Sequence, residues 1–133
     1  MSIEIDHSGK NVVVTGAGAG IGRSIGVQFA RAGANVGVMD KRAEKAQETI
    51  ELITALNQGF SCSVVGDVRE EGQIERMFDE SSEKLDGIDI AVNNIGMLGS
   101  EGTAPLLEMD EKKWRDVLAV SYTHLTLPTT PYV

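Results

Sequence analysis

The sequence predicts an α/β fold in which a parallel sheet carries helices on both faces. Four short apolar runs have the character of buried strands, and they alternate with longer segments in which apolar residues recur at helical spacing. The strands are expected at Asn11–Val14, Asn35–Met39, Ser61–Val65 and Ile88–Val92. Because strands that alternate with helices of ten or more residues are joined by right-handed crossovers, the sheet should be parallel.

Three segments between the strands, and one after the last strand, have helical periodicity. The residues expected to face the sheet are Ile21, Ile25, Phe29 and Ala32 in the first helix, Ala43, Ala46, Ile50, Ile53 and Leu56 in the second, and Ile74, Phe78 and Leu85 in the third. Gly33, Gly59 and the pair Asp86-Gly87 are helix stops. A fourth helix is expected to begin at Asp110, whose carboxylate can cap it.

Length and charge exclude several classes of function. A chain of 133 residues is enough for one domain and too short for two. With 12 Lys and Arg against 20 Asp and Glu, the net charge of -8 disfavours nucleic acid as a partner, since no basic cluster offsets it. The sequence has no run long enough to span a membrane and no secretory signal at its start, so we expect no membrane partner and a cytoplasmic location.

A glycine-rich segment, Thr15–Gly22, follows the first predicted strand directly and reads TGAGAGIG. Between a buried strand and a helix, missing side chains let backbone N–H groups approach a phosphate, and the helix N-terminus adds partial positive charge. The spacing Gly-x-x-x-Gly-x-Gly differs from the Gly-x-Gly-x-x-Gly form, and no Lys-Ser/Thr pair follows as in a P-loop. The segment therefore predicts an anion site of another type.

Two further motifs stand at the ends of the third and fourth strands, namely Asp67-Val68 and Asn93-Asn94-Ile95-Gly96. Together with the glycine segment they resemble the short-chain dehydrogenase/reductase family, over about residues 8 to 119. The resemblance implies a Rossmann-like, NAD(P)-binding domain over residues 1–119, the chain being truncated after the helix that follows the fourth strand. It also implies an enzyme that interconverts an alcohol and a ketone by hydride transfer.

The resemblance assigns cofactor contacts residue by residue. The residues similar to the pyrophosphate-binding turn are Gly16, Gly18, Ala19, Gly20, Ile21 and Gly22. Asp67 and Val68 resemble the residues at the adenine ring, although Asp67 can also cap the segment after Arg69. Asn93, Asn94 and Gly96 resemble the motif that steadies the sheet and lines the nicotinamide ribose, with Ile95 in place of the family's alanine. No metal site is expected.

Asp40 ends the second strand, 18 residues beyond Gly22. An acidic residue there accepts hydrogen bonds from the adenosine ribose and repels a 2′-phosphate, which favours NAD over NADP. Lys41 and Arg42 follow and offer the alternative of pairing with a 2′-phosphate, although a solvated first helical turn is the stronger interpretation of both.

The acid/base residues of the family have no counterpart. The resemblance implies a Tyr with a Lys four residues later, a Ser upstream and a relay Asn, but Tyr122 is followed at that distance by Thr126. Tyr132 has one residue after it, and no Lys follows Lys113. Ser121 stands where the relay Asn is expected. The chain is therefore expected to carry no catalytic residues.

The final segment, residues 120–133, differs in composition from the rest. Its last thirteen residues hold both tyrosines and two of the three prolines, with no Gly, Asp, Glu, Lys or Arg. Residues 120 to 130 can be written in codons that resemble the end of a sequencing-library adapter. We interpret residues 120–133 as a non-native tail, with a divergent natural C-terminus as the alternative.

The resulting hypothesis is the cofactor-binding part of a dehydrogenase, inactive alone, whose parent protein is a homotetramer or homodimer as the family resemblance suggests. Trp114 is expected either at a subunit interface or in the core. The alternative function is a non-catalytic dinucleotide-binding sensor on the same fold. An epimerase or other extended relative is disfavoured, because the glycine spacing and the Asn-Asn-x-Gly motif resemble shorter members.

Overall fold

The computed structural model describes residues 3–56, 59–96, 110–112 and 115. Its elements are, in chain order, β1 (Asn11–Thr15), α1 (Gly20–Arg31), β2 (Asn35–Asp40), α2 (Ala43–Thr54), β3 (Ser61–Val65), α3 (Gln73–Leu85) and β4 (Ile90–Val92). All strand pairs are parallel, and the strand order is β3-β2-β1-β4. The predicted fold class is confirmed. The fourth strand begins at Ile90 rather than at the predicted Ile88, and Glu111, Lys112 and Arg115 are helical after Asp110.

Successive side chains of the strands point to opposite faces, and each face has its own apolar core. Val12 and Val14 of β1 pack in the cluster that α1 and α2 cover, together with Ala30 and Ile53. Val13 packs in the other cluster, which contains Met77 and Leu85 of α3. The prediction of helices on both faces is therefore confirmed.

The buried stripe of α1 differs from the predicted one. Its buried residues are Gly22, Gly26 and Ala30, whereas Ile21 is 75% exposed. Ile25 and Phe29 are half-buried and pack at the edge of the core. The helix lies so close to the sheet that its smallest residues face the strands, and the larger apolar residues flank the contact. The prediction that Ile21 faces the core is wrong.

The buried stripes of α2 and α3 are also shifted from the apolar pattern. Their buried positions are Ala46, Thr49 and Ile53 in α2 and Met77, Ser81 and Leu85 in α3. Ala43, predicted to face inward, is exposed in the first turn of α2. Each of the two helices thus places one hydroxyl residue, Thr49 or Ser81, against the sheet. Thr49 bonds to the glycine-rich segment, whereas the Ser81 hydroxyl has no hydrogen-bond partner among the described residues.

We expect Ser81→Ala to stabilise the protein by about 1 kcal/mol, because it removes a buried hydroxyl without a partner and improves helix propensity. Chemical denaturation of both proteins measures the change. The control is Ser82→Ala, since Ser82 is only half-buried and gains little more than propensity. A Ser81→Ala protein that is less stable than the parent would show that this hydroxyl has a partner.

The outer strand β3 has its free edge covered by side chains of α3. Arg76 donates to the Val65 carbonyl at 2.6 Å and Lys84 donates to the Ser63 carbonyl at 3.0 Å. Glu80, between them on the helix, forms ion pairs with both cations at 2.7 and 2.6 Å. Charged groups on edge carbonyls prevent pairing with a further strand. The β3 edge is therefore closed to strand addition.

Candidate functional site

A cleft of about 240 Å³ lies at the carboxyl ends of the strands. Of the residues predicted from the sequence, those that line it are Gly16, Asp40, Asp67, Val68, Asn94 and Gly96. They follow four different strands, and they meet because the carboxyl ends of parallel strands lie at one edge of the sheet. Lys41, Arg42, Gly66, Arg69 and Ile95 complete the lining.

The remaining predicted residues do not line this cleft. Gly18 is buried and its N–H donates to Asp40. Ala19 is the N-cap of α1, and Gly20, Ile21 and Gly22 form its first turn. Gly20 and Ile21 line a second, mainly apolar cleft on the outer side of α1. Asn93 follows β4 and is exposed.

Glycine is required at Gly22 by close packing. A Cβ there would collide with the carbonyl oxygen of Gly16 and would lie 2.6 Å from the Asn94 Nδ2 atom. A Cβ at Gly18 would lie 2.6 Å from the Asp40 Oδ2 atom. Gly16 adopts φ 65°, a left-handed conformation that residues with side chains avoid. The segment can therefore fold back against both neighbouring strand ends only because these positions have no side chain.

The N-terminus of α1 is open to an anion. No side chain caps it, and its first turn contains no acidic residue. The unpaired N–H groups and the helix dipole concentrate positive potential at this end, where a phosphate is the natural counterpart. This geometry agrees with the chemistry that the glycine spacing predicts.

Asn94 ties the segment after β4 to the segment after β1. Its side-chain amide donates to the Thr15 carbonyl at 3.0 Å, and its backbone N–H donates to the Thr15 hydroxyl, also at 3.0 Å. The Thr15 hydroxyl is buried and faces the Val92 carbonyl at 3.4 Å. Asn94 thereby holds the segments after β1 and β4 together where they line the cleft.

Asp40 lines the cleft, although only 4% of its side chain is exposed. Its Oδ2 accepts from the Gly18 N–H at 2.9 Å, and its Oδ1 accepts from the backbone N–H and the guanidinium of Arg42, each at 3.0 Å. Burial alone raises the pKa of Asp40, but the hydrogen bonds from Arg42 and Gly18 lower the pKa below its ordinary value. Asp40 is therefore a carboxylate over the ordinary pH range. Arg42 precedes α2, so the predicted helical turn begins one residue later.

Asp67 repeats this arrangement after β3. Arg69 donates to its carboxylate from the guanidinium at 2.6 and 3.0 Å and from the backbone N–H at 3.0 Å. These bonds lower the pKa of Asp67 to about 2. Both strand ends thus have the pattern Asp-x-Arg, in which the arginine binds the carboxylate two residues before it. The prediction did not include either arginine as a site residue, although this repeated spacing is visible in the sequence.

The ion pair between Asp67 and Arg69 predicts how the stability of the fold depends on pH in acid. The pKa of Asp67 is lower in the folded chain than its ordinary value of 3.8, so its contribution to stability is present above about pH 4 and is lost as pH falls toward 2. We expect Asp67→Asn to flatten the decrease of melting temperature over that range. Arg69→Gln should have the same effect, because Arg69 is the main cause of the lowered pKa. An unchanged acid slope in both variants would contradict the assignment.

Several sequence predictions fall outside the described residues. They are the position of Trp114 at a subunit interface or in the core, the absence of a Tyr-Lys pair, and the assignment of residues 120–133 as a non-native tail. Within residues 3–56, 59–96 and 110–112, no group of three or more metal-binding side chains comes together. No described helix has both the length and the apolar character needed to cross a bilayer.

Comparison with known proteins identifies the class. The sequence pattern of the short chain dehydrogenase family matches residues 10–130. The 7alpha-hydroxysteroid dehydrogenase of Escherichia coli is 35% identical over 92% of this chain and 48% of its own length. The L-2,3-butanediol dehydrogenase of Corynebacterium glutamicum is 37% identical over 84% of this chain and 43% of its own. A short-chain type dehydrogenase/reductase from Mycobacterium marinum superposes with a TM-score of 0.82 at 30% identity, over 93% of this chain and 49% of that structure.

The chain belongs to the short-chain dehydrogenase family, whose members are oxidoreductases that use NAD or NADP. It spans about half the length of these relatives. The matches place this chain in the N-terminal part of the family domain.

Proposed function

We propose that this chain is the dinucleotide-binding part of an NAD-dependent oxidoreductase that interconverts an alcohol and a ketone. The observation that carries the proposal is the contact between two features: the glycine-rich turn before the uncapped N-terminus of α1, and the buried carboxylate of Asp40, which lines the cleft and accepts a hydrogen bond from the Gly18 N–H of that turn. The first suits a pyrophosphate and the second suits a ribose diol. No acidic residue in the first turn of α1 opposes a bound phosphate.

In the proposed complex the backbone N–H groups of the turn and of the first residues of α1 hold the pyrophosphate. The contributing residues are Gly16, Ala19, Gly20, Ile21 and Gly22, and Gly18 joins the turn to Asp40 through its own N–H. Asp67 and Val68 hold the adenine end, where they line the cleft beside Asp40. Asn93, Asn94 and Gly96 serve the nicotinamide ribose, and Asn94 also keeps the turn in place.

The preference for NAD is proposed from the charge and position of Asp40. Its carboxylate is ionised and lines the cleft. It can therefore accept hydrogen bonds from the ribose hydroxyls, and its charge repels a 2′-phosphate. Arg42 occupies the same carboxylate oxygens, so ribose binding requires its guanidinium to turn aside. Because Arg42 and Lys41 also line the cleft, they reduce but do not reverse the repulsion of a phosphate.

When bound, the nicotinamide ring takes up or supplies the hydride. The chain's own residues hold the dinucleotide at the cleft, and Asp40 and Asp67 remain ionised while they do so.

We propose that the proton-transferring residues of the parent protein follow residue 119, and that residues 120–133 replace its natural continuation. Sequencing the source locus past the codons for Trp114 tests this, and genomic DNA that encodes residues 120–133 in unbroken context would refute it.

Calorimetric titration of the 133-residue chain with NAD⁺ and NADP⁺ tests the binding function. The proposal predicts saturable binding of both, with NAD⁺ bound more tightly. Binding of neither would overturn it.

A sensor without catalysis remains the second candidate, since the part of the chain that the structure describes shows no acid/base pair at the cleft. A parent gene without Tyr-x-x-x-Lys would favour the sensor.

A further inference from the structure

Two residues on the side of the glycine-rich turn away from the cleft bind its carbonyl groups. Arg23 of α1 donates from Nη2 to the Gly18 carbonyl, and Thr49 of α2 donates its hydroxyl to the Ala17 carbonyl at 2.8 Å. The two side chains are joined, since Arg23 Nε donates to Thr49 Oγ1 at 3.0 Å. Thr49 and Ala17 are fully buried.

Because of peptide geometry, these bonds also determine the direction of the backbone N–H groups on the opposite side of the turn. A trans peptide unit is planar, so the C=O of one residue and the N–H of the next point in opposite directions. With the Gly18 carbonyl held toward Arg23, the Ala19 N–H must point away from it. With the Ala17 carbonyl held toward Thr49, the Gly18 N–H points to Asp40, where it forms the 2.9 Å bond. Arg23 therefore sets the direction of the Ala19 N–H at the start of α1, and Thr49 sets the direction of the Gly18 N–H toward Asp40.

We propose that Arg23 and Thr49 form a positioning pair, in which Thr49 holds Arg23 against the Gly18 carbonyl and Arg23 thereby keeps the Ala19 N–H oriented toward the pyrophosphate of the dinucleotide. This rests on the proposed function and deepens it, because neither residue lines the cleft and both act through the turn. Their bonds keep the N–H groups in the bound orientation before the ligand arrives. An anion site that is already oriented loses less entropy on binding.

The buried hydroxyl of Thr49, rather than the neighbouring ion pair, carries the effect. Glu48 also contacts Arg23, at 2.8 Å, but 45% of the Glu48 side chain is exposed and it shares its carboxylate with Lys45. Exposed ion pairs contribute little. The Thr49 hydroxyl takes part in both interactions with the turn. It donates to the Ala17 carbonyl, and it accepts from Arg23, which holds the next carbonyl.

The test compares Thr49→Val, which keeps the shape but loses the hydroxyl, with Thr49→Ser, which keeps the hydroxyl. Affinities of the 133-residue chain for ADP-ribose and for adenosine are measured by NMR titration. We expect Thr49→Val to weaken ADP-ribose binding about tenfold while adenosine binding changes by less than about twofold, because only ADP-ribose has the pyrophosphate. Thr49→Ser and Glu48→Gln should both remain within about twofold of the parent for either ligand.

If the role of Thr49 were merely structural, Thr49→Val would lower the affinities for ADP-ribose and adenosine equally, because a smaller fraction of the protein would be folded. Equal losses in Thr49→Val, or no loss, would overturn the proposal while the parent chain still binds ADP-ribose. Failure of the parent chain itself to bind ADP-ribose would instead overturn the proposed function, and the positioning pair with it. If Thr49→Val does not fold, Arg23→Lys replaces it, because one ammonium group cannot reach both Thr49 and Gly18. The same selective loss of ADP-ribose is then expected.

Discussion

Replacing Gly22 with Ala is expected to remove dinucleotide binding, with a rise of at least about 100-fold in the dissociation constant for NAD⁺. The added Cβ would collide with the Gly16 carbonyl and lie 2.6 Å from the Asn94 amide. Asn94 holds the Thr15 carbonyl at the start of the glycine-rich turn, so that turn and the first turn of α1 must separate to admit the Cβ. We expect stability to fall by about 1–3 kcal/mol, the range for overpacked sites.

The matched control is Gly26→Ala, one helical turn further along the same buried stripe. A Cβ at Gly26 would lie 3.7 Å from Val36 Cγ1 and 3.9 Å from Ile53 Cδ1, which is ordinary contact. This variant should bind NAD⁺ like the parent and should gain about 0.5–1 kcal/mol from the better helix propensity of alanine. Calorimetric titration and chemical denaturation measure both quantities. Normal NAD⁺ binding by Gly22→Ala would mean that the turn is not the pyrophosphate site.

Replacing Asp40 with Asn is expected to lower the affinity for NAD⁺ and to raise the affinity for NADP⁺. The introduced amide carries no charge to repel a 2′-phosphate, and Arg42 loses the carboxylate to which it is bound at 3.0 Å. The freed guanidinium then pairs with the phosphate. We expect the ratio of the two affinities, measured by calorimetric titration, to change by about 10- to 100-fold, the range for hydrogen bonds to a charged group.

Asp79→Asn is the control for this substitution, because Asp79 is exposed on α3, away from the cleft, and its replacement makes the same change in net charge. The ratio of NAD⁺ to NADP⁺ affinity should not change in this variant. Asp40→Asn is also expected to lower the melting temperature, since Asp40 anchors the Gly18 N–H. An Asp40→Asn protein that folds and keeps the parent's ratio would show that Asp40 does not select the cofactor.

The sequence was sufficient to predict the sheet and the location of the cleft. Strand runs and glycine stops indicated the order of elements, and the strand ends then had to meet at one edge of the sheet. Motifs after β1, β3 and β4 therefore came together without any knowledge of side-chain positions.

The sheet-facing stripe of α1 was not predicted, because apolar periodicity favours large residues and α1 packs through Gly22, Gly26 and Ala30. Side-chain pairs that depend on three-dimensional distance were also missed. Thr49 is a neutral helical residue by sequence, yet its hydroxyl holds the turn from a neighbouring helix. Arg42 was interpreted as a solvated residue, but it binds the carboxylate proposed to select the cofactor. The Thr49 bond depends on the angle between α2 and the turn, which local sequence patterns do not encode, whereas the Asp40–Arg42 pair joins residues two apart and its spacing is visible in the sequence.

The most direct test of the central claim is an amide NMR titration of the 133-residue chain with NAD⁺. The account predicts saturable shifts concentrated at the amides of residues 16–22 and at Asp40, Asp67 and Asn94, with little change on the outer surface of α3. Saturable shifts confined to other surfaces, or no shifts at millimolar NAD⁺ in a folded sample, would contradict the assignment of this cleft as the dinucleotide site.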